Sequence, residues 1–198
     1  MIEAVVFDLN GVFIQSPRLS DRFEEKFHVS GDKFYDVLQE IMPKVRKPRA
    51  EDSFNYWKPH LKDWGLNLNK EQFFDFWFSG EKEVPEMINL ARKVKENGTK
   101  IFILSNNFTE RAKYYDENFP FLKDFDKVYY SWQTGFVKPD LEAYKNLLRE
   151  NNLQPEQCLY FDDSAKNIKA ASSLGIISYL FKDTQDLQAI LKAAALLG

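Results

Sequence analysis

Five short apolar runs punctuate the chain, at residues 3–9, 100–105, 126–130, 158–161 and 175–180. Within them apolar residues follow one another without polar alternation. That pattern marks strands buried on both faces, as in a parallel sheet. Between the runs the period changes. Residues 85–97 place Met87, Leu90, Ala91 and Val94 on one helical face, and Gly98 follows as a terminator. Residues 109–118, 140–151, 164–174 and 184–197 also read as helices. Strands alternating with helices predict an α/β fold with a doubly wound parallel sheet.

Residues 16–81 interrupt this alternation. No strand pattern occurs there, and four helices are expected at 17–29, 32–42, 51–64 and 70–79. Asn69 and Gln72 have the spacing of a capping box for the last of these. The block reads as a small α-helical cap inserted into a core formed by residues 1–15 and 82–198. Nine of the 25 residues from 54 to 78 are aromatic. Trp57, Trp64, Phe73, Phe74 and Trp77 are expected to build the core of the insertion or its contact with the main domain.

Composition narrows the function classes. A length of 198 residues suits one domain with a modest insertion. A net charge of −3 argues against a general nucleic-acid binder. No apolar run approaches the roughly 18 residues of a membrane span. The first residues lack the basic segment of a secretory signal, so a cytoplasmic setting is expected. The single cysteine, Cys158, excludes an internal disulfide framework and lies in a buried strand pattern, which suits a packing role. No Walker A loop, Gly-x-Ser-x-Gly elbow or Gly-x-Gly-x-x-Gly fingerprint is present.

The candidate chemistry gathers at the carboxyl ends of the strands, the edge where open α/β sheets bind ligands. Asp8 and Asn10 follow the first run; Ser105, Asn106 and Asn107 follow the second; Lys138 follows the third; Asp162 and Asp163 follow the fourth. Three crowded carboxylates repel one another, and a hard divalent cation, Mg²⁺ by default, relieves the repulsion. A lysine and a hydroxyl beside them suit an anionic group. Together these elements point to phosphoryl transfer.

Taken in order, Asp8-Leu9-Asn10-Gly11-Val12, Ser105-Asn106, Lys138-Pro139 and Asp162-Asp163 resemble the four motifs of the haloacid dehalogenase (HAD) superfamily. The helical insertion resembles the small cap of its subfamily I phosphatases. Asp162-Asp163-Ser164 with Asn167 is most similar to the branch containing glucose-1-phosphate phosphatase-like proteins and the phosphatase domain of epoxide hydrolases. The resemblance implies a Rossmann-like core and an Mg²⁺-dependent phosphatase of small phosphate esters. Asp8 would become an aspartyl-phosphate. The Asp8 carboxylate, the Asn10 carbonyl and Asp163 would hold the metal, with Asp162 direct or through water. Ser105 and the Asn106 N–H would bind phosphate, and Lys138 would neutralise charge. Asn167 would brace the loop. A small-molecule substrate, no nucleic acid or membrane partner, and a monomer or weak homodimer are expected.

One departure matters. The family's phosphatases carry an aspartate two residues after the nucleophile, and here the residue is Asn10. An amide cannot cycle a proton at neutral pH, and such help is typically worth roughly 10²–10⁴-fold. A slow or specialised phosphatase, a binding protein on the same scaffold, an Asn substituted to trap an intermediate, and a metal-independent 2-haloacid dehalogenase remain alternatives. The cap also carries Lys44, Arg46, Lys47, Arg49, Lys58 and Lys62 against Glu51 and Asp52. These read either as a solvated basic face or as a patch that attracts anions.

Overall fold

The computed structural model describes residues 1–197. In chain order the elements are β1 (Ala4–Phe7), β2 (Ile14–Gln15), α1 (Leu19–Phe27), α2 (Gly31–Val45), α3 (Ser53–Asp63), α4 (Lys70–Phe78), β3 (Lys82–Glu83) and α5 (Pro85–Glu96). They continue with β4 (Lys100–Ser105), α6 (Thr109–Asn118), β5 (Lys127–Tyr130), α7 (Ser131–Thr134), α8 (Leu141–Asn151), β6 (Cys158–Asp162), α9 (Ala165–Ser173), β7 (Ile177–Leu180) and α10 (Thr184–Ala193).

The main sheet has the order β5-β4-β1-β6-β7, with every neighbouring pair parallel. The continuous apolar runs are explained by burial on both faces. Val5 and Phe7 of β1 face the layer built by Met87 and Val94 of α5, Tyr115 of α6 and Leu187 of α10. Ala4 and Val6 face the opposite layer, with Ala143 and Leu147 of α8 and Ala171 of α9. The same division holds along β4 and β6. β1 is the centre of the sheet, and the chain leaves it to build both flanks. Its carboxyl end is therefore the switch point where such sheets form crevices.

The four insertion helices pack around an aromatic cluster that includes Phe23, Phe34, Trp57, Phe73 and Trp77. Trp57 is fully buried and stacks on Phe34 with ring centroids 5.0 Å apart. The Asn69–Gln72 capping box forms as its spacing predicts, satisfying two of the amides that a helix start leaves unpaired. Phe108, from the loop after β4, joins this cluster and lies 5.3 Å from the Trp77 ring. Glu110 of α6 accepts the Ser53 N–H at 2.9 Å. The insertion is thus seated on the loop and helix that follow β4.

Two local features differ from the sequence reading. α2 runs through Pro43 to Val45, past the expected stop at Met42. Proline forfeits a single helical hydrogen bond there, and only one further turn depends on it. A second, two-stranded antiparallel sheet pairs β2 with β3, joining the entry and exit of the insertion. Two residues per strand are too few to carry a readable period. Among the described residues, no helix is long and apolar enough to cross a membrane.

Candidate active site

Asp8 follows β1 directly, and its backbone N–H donates to the Phe161 carbonyl of β6 at 2.8 Å. The side chain is held as firmly. Its Oδ1 accepts from the Leu9 N–H at 2.7 Å and pairs with Lys138 Nζ at 2.9 Å. Among the described residues nothing donates to its other oxygen. Burial pushes the Asp8 carboxyl up, Lys138 opposes this and Asp162 adds to it; the result is a pKa of about 6.

Lys138 is almost completely buried, and its ammonium bridges Asp8 and Asp162, the latter at 2.7 Å. Burial disfavours its charge, but the two carboxylates outweigh that cost and hold its pKa above the ordinary lysine value. The backbone of Lys138 is clamped too. Its N–H donates to Asn106 Oδ1 and its carbonyl accepts from Asn106 Nδ2, both at 2.8 Å. The Asn106 side chain therefore positions the lysine and is not available to a ligand.

Asp162, at the end of β6, is fully enclosed. Its oxygens accept from Lys138, the Tyr160 hydroxyl, the Ser164 N–H at 2.8 Å and Asn167 Nδ2 at 3.0 Å. Its lone pairs are thus largely engaged by protein donors, and it serves here as the anchor of Lys138. Asn167 braces this loop as its place in the first turn of α9 suggests. Asp163, the next residue, is exposed. A Cβ added to Gly11 would collide with Asp163 Oδ2, so the carboxylate rests against the chain just after Asp8. Gly11 also holds φ +85, a conformation that glycine adopts freely. Burial and then Asp162 raise the Asp163 pKa.

One oxygen from each of Asp8, Asp162 and Asp163 lies within 4.8 Å of the others. A single lysine answers three carboxylates, which leaves an uncompensated negative charge at the mouth of the site. Ser105 ends β4, the strand next to β1; it is 2% exposed, and its hydroxyl has no hydrogen-bond partner among the described residues. A buried hydroxyl left unpaired costs free energy, on the order of 1–3 kcal/mol, which a ligand oxygen would recover.

The Asn10 amide donates to the Tyr115 hydroxyl at 2.6 Å. The guanidinium of Arg111 lies 5.3 Å from the Tyr115 ring centroid and pairs with buried Glu81 at 2.6 Å. Burial raises the Tyr115 hydroxyl well above its ordinary pKa. Tyr115 is 105 residues from Asn10, and no local pattern signals that contact. Tyr160 was within reach of the sequence: it stands two residues before Asp162 on the same strand, so both side chains share a face.

Residues 2–175 match the family of haloacid dehalogenase-like hydrolases. The chain is 27% identical to bifunctional epoxide hydrolase 2 of Sus scrofa over 92% of its own length and 37% of that protein. It spans well under half the length of the mammalian relatives it matches. It is also 24% identical to the D-ribitol-5-phosphate phosphatase of Bacteroides thetaiotaomicron, over 90% of this chain and 91% of that one. Among solved structures, a HAD family enzyme from Bacteroides thetaiotaomicron in complex with magnesium and inorganic phosphate superposes with a TM-score of 0.76. That match has 25% identity and covers 92% of this chain and 95% of the other.

Proposed function

The chain belongs to the haloacid dehalogenase-like hydrolases, and on that premise we propose that it is an Mg²⁺-dependent phosphatase of small phosphorylated metabolites, slowed by Asn10. The observation that carries this reading is the charge of the site: three carboxylates converge, one buried lysine pairs with two of them, and the next strand, β4, ends on a buried hydroxyl that has no partner among the described residues. The match to a phosphatase of a polyol phosphate supports it.

The donor set fits Mg²⁺, which prefers hard oxygens and takes only one or two carboxylates from a protein. Asp8, the Asn10 carbonyl and exposed Asp163 would hold it, while Asp162 acts through Lys138 and water. When bound, the ion neutralises phosphoryl oxygens and the charge of the nucleophile. Ser105 and the Asn106 N–H bind phosphate oxygens, and Lys138 offsets their charge. The free oxygen of Asp8 attacks phosphorus, the P–O ester bond breaks, and an aspartyl-phosphate forms. Water then attacks that phosphorus and releases Asp8. The leaving alkoxide needs a proton and the water must lose one, and Asn10 can serve neither step.

Release of inorganic phosphate from a panel of small phosphate esters tests the reading. Activity is expected with Mg²⁺ and is suppressed by EDTA; chelator-resistant halide release from 2-haloacids would instead support a dehalogenase. Gly11→Ala is expected to raise the Mg²⁺ concentration for half-activation at least about tenfold. The added Cβ must displace the Asp163 carboxylate and strains a left-handed residue. An unchanged Mg²⁺ requirement would remove Asp163 from the metal site.

The Asp8 pKa sets a pH dependence. Its carboxyl titrates near 6 folded against an ordinary 3.8. The folded state therefore holds this proton more tightly, and the metal-free protein loses stability from this site as pH rises between those values. Mg²⁺ competes with that proton. The rise in Tm on adding Mg²⁺ is expected to be larger at pH 7.5 than at pH 5. Equal shifts at both values would contradict the assignment of Asp8 to the metal.

A second reading has one observation in its favour. Asn10 removes the acid–base group, so a protein kept for binding would hold phosphate esters intact for hours and would not gain turnover from Asn10→Asp.

A further inference from the structure

The insertion and the core enclose a cavity of about 220 Å³ lined by Arg22, Gln39, Met42, Arg46, Trp77 and Arg111 among others. Three arginines thus line one small space. Two of them have partners. Arg22 donates to the carbonyls of Phe76 and Trp77 and to the Ser79 hydroxyl, and it stacks on Phe76. Arg111 is paired with Glu81.

Arg46 is different. It caps the C-terminus of α2, where a cation suits the helix dipole. Its Nε is sealed from solvent and has no hydrogen-bond partner among the described residues. Among the described residues, no carboxylate lies within ion-pair distance of it. Burial and then the like charge of Arg111 lower its pKa to about 10, so it remains charged at neutral pH. The other basic residues of the patch from Lys44 to Lys62 are spent elsewhere. Lys44 pairs with Glu40 at 2.6 Å, and Lys47, Arg49, Lys58 and Lys62 are exposed. The sequence patch therefore divides into a solvated face and one arginine turned into a cavity.

The cavity belongs to the neighbourhood of the nucleophile. Asn10, two residues on, bonds Tyr115, whose ring lies beneath Arg111. Arg46 is half-buried: its Nε is enclosed without a partner among the described residues, which costs free energy, and its open end suits a planar anionic fork. The space is smaller than the roughly 300–1,000 Å³ of drug-sized ligand pockets, so the occupant is short.

We propose that this cavity is a subsite for a carboxylate on the far end of the substrate, with Arg46 as its principal ligand and Arg111 beside it. Resting on the phosphatase reading above, this narrows the substrates to phosphate monoesters of small hydroxy acids, in preference to neutral sugar or polyol phosphates.

The probes are 3-phosphoglycerate and glycerol 3-phosphate, which differ in carrying a carboxylate or a hydroxymethyl group. With Mg²⁺ the protein is expected to favour the acid by at least about tenfold in kcat/KM, chiefly through KM. Arg46→Gln should reduce that ratio toward one, Arg46→Lys should recover part of it, and Lys62→Ala should leave it unchanged. Equal kcat/KM for the two esters, or a ratio indifferent to Arg46→Gln in a variant that melts like the parent, overturns the subsite. Hydrolysis of neither ester would overturn the phosphatase reading instead. In that case the subsite is read from melting with phosphonoacetate and methylphosphonate. A larger rise with phosphonoacetate, lost in Arg46→Gln, sustains it, and equal rises overturn it.

Discussion

Asp8→Asn is expected to reduce phosphate release to background, a loss of at least about 10⁴-fold. The amide is nearly isosteric with the carboxylate and can keep the Leu9 contact, but it offers no charged oxygen to phosphorus. The substitution also removes the anion that faces Lys138 at 2.9 Å. The lysine keeps Asp162, so the fold should persist, and Lys138 should become somewhat more acidic with one carboxylate partner fewer. Phosphate release over time and a search for an acid-stable phosphoryl group on the protein are the measurements. Retained turnover with Mg²⁺ in a folded variant would exclude the aspartyl-phosphate mechanism.

Asn10→Asp is expected to raise turnover of alkyl phosphates by about 10²-fold or more. The geometry favours acceptance of the change. Asn10 donates to the Tyr115 hydroxyl at 2.6 Å, and that hydroxyl can turn about its C–O bond to donate to the carboxylate introduced there. No chain movement is required. The parent protein should reveal which step suffers. Aryl phosphates expel a good leaving group without a proton, so transfer to Asp8 survives, and a burst of phenol near one per enzyme precedes a slow phase. Alkyl phosphates should give no burst, because their first step is slow as well. The Asn10-Gly11 pair can deamidate, so these rates belong to protein shown by peptide mass to retain the amide. An unchanged rate in Asn10→Asp would place the acid–base work elsewhere, and rapid, burst-free turnover of both ester types by intact parent protein would do the same.

Much of the architecture was legible because burial on both faces leaves a mark that needs no tertiary information. The runs around Val5–Phe7 and Ile101–Leu104 are uninterrupted since each alternate residue meets a helical layer. Asn69 and Gln72 satisfy amides within their own helix, so their spacing alone announces them. Asp8, Ser105, Asp162 and Asp163 were also expected from sequence at one edge of the sheet, because parallel strands deliver the residues at their carboxyl ends to the same side whatever the packing. The β2–β3 pair was not legible, because each strand is two residues long and its partner is distant.

What the sequence determined by itself was therefore local or periodic: the alternation of strands and helices, the helical insertion, and which polar residues reach the carboxyl edge of the sheet. Tertiary structure alone decided how those residues divide the work. It enclosed Asp162 among four donors and left Asp163 open, although the two are adjacent in sequence and chemically identical. It likewise selected Arg46 from a run of basic residues and turned it into a cavity with Arg111. The physical reason is that hydrogen bonding and desolvation depend on neighbours brought from distant parts of the chain, and no spacing within a segment records them.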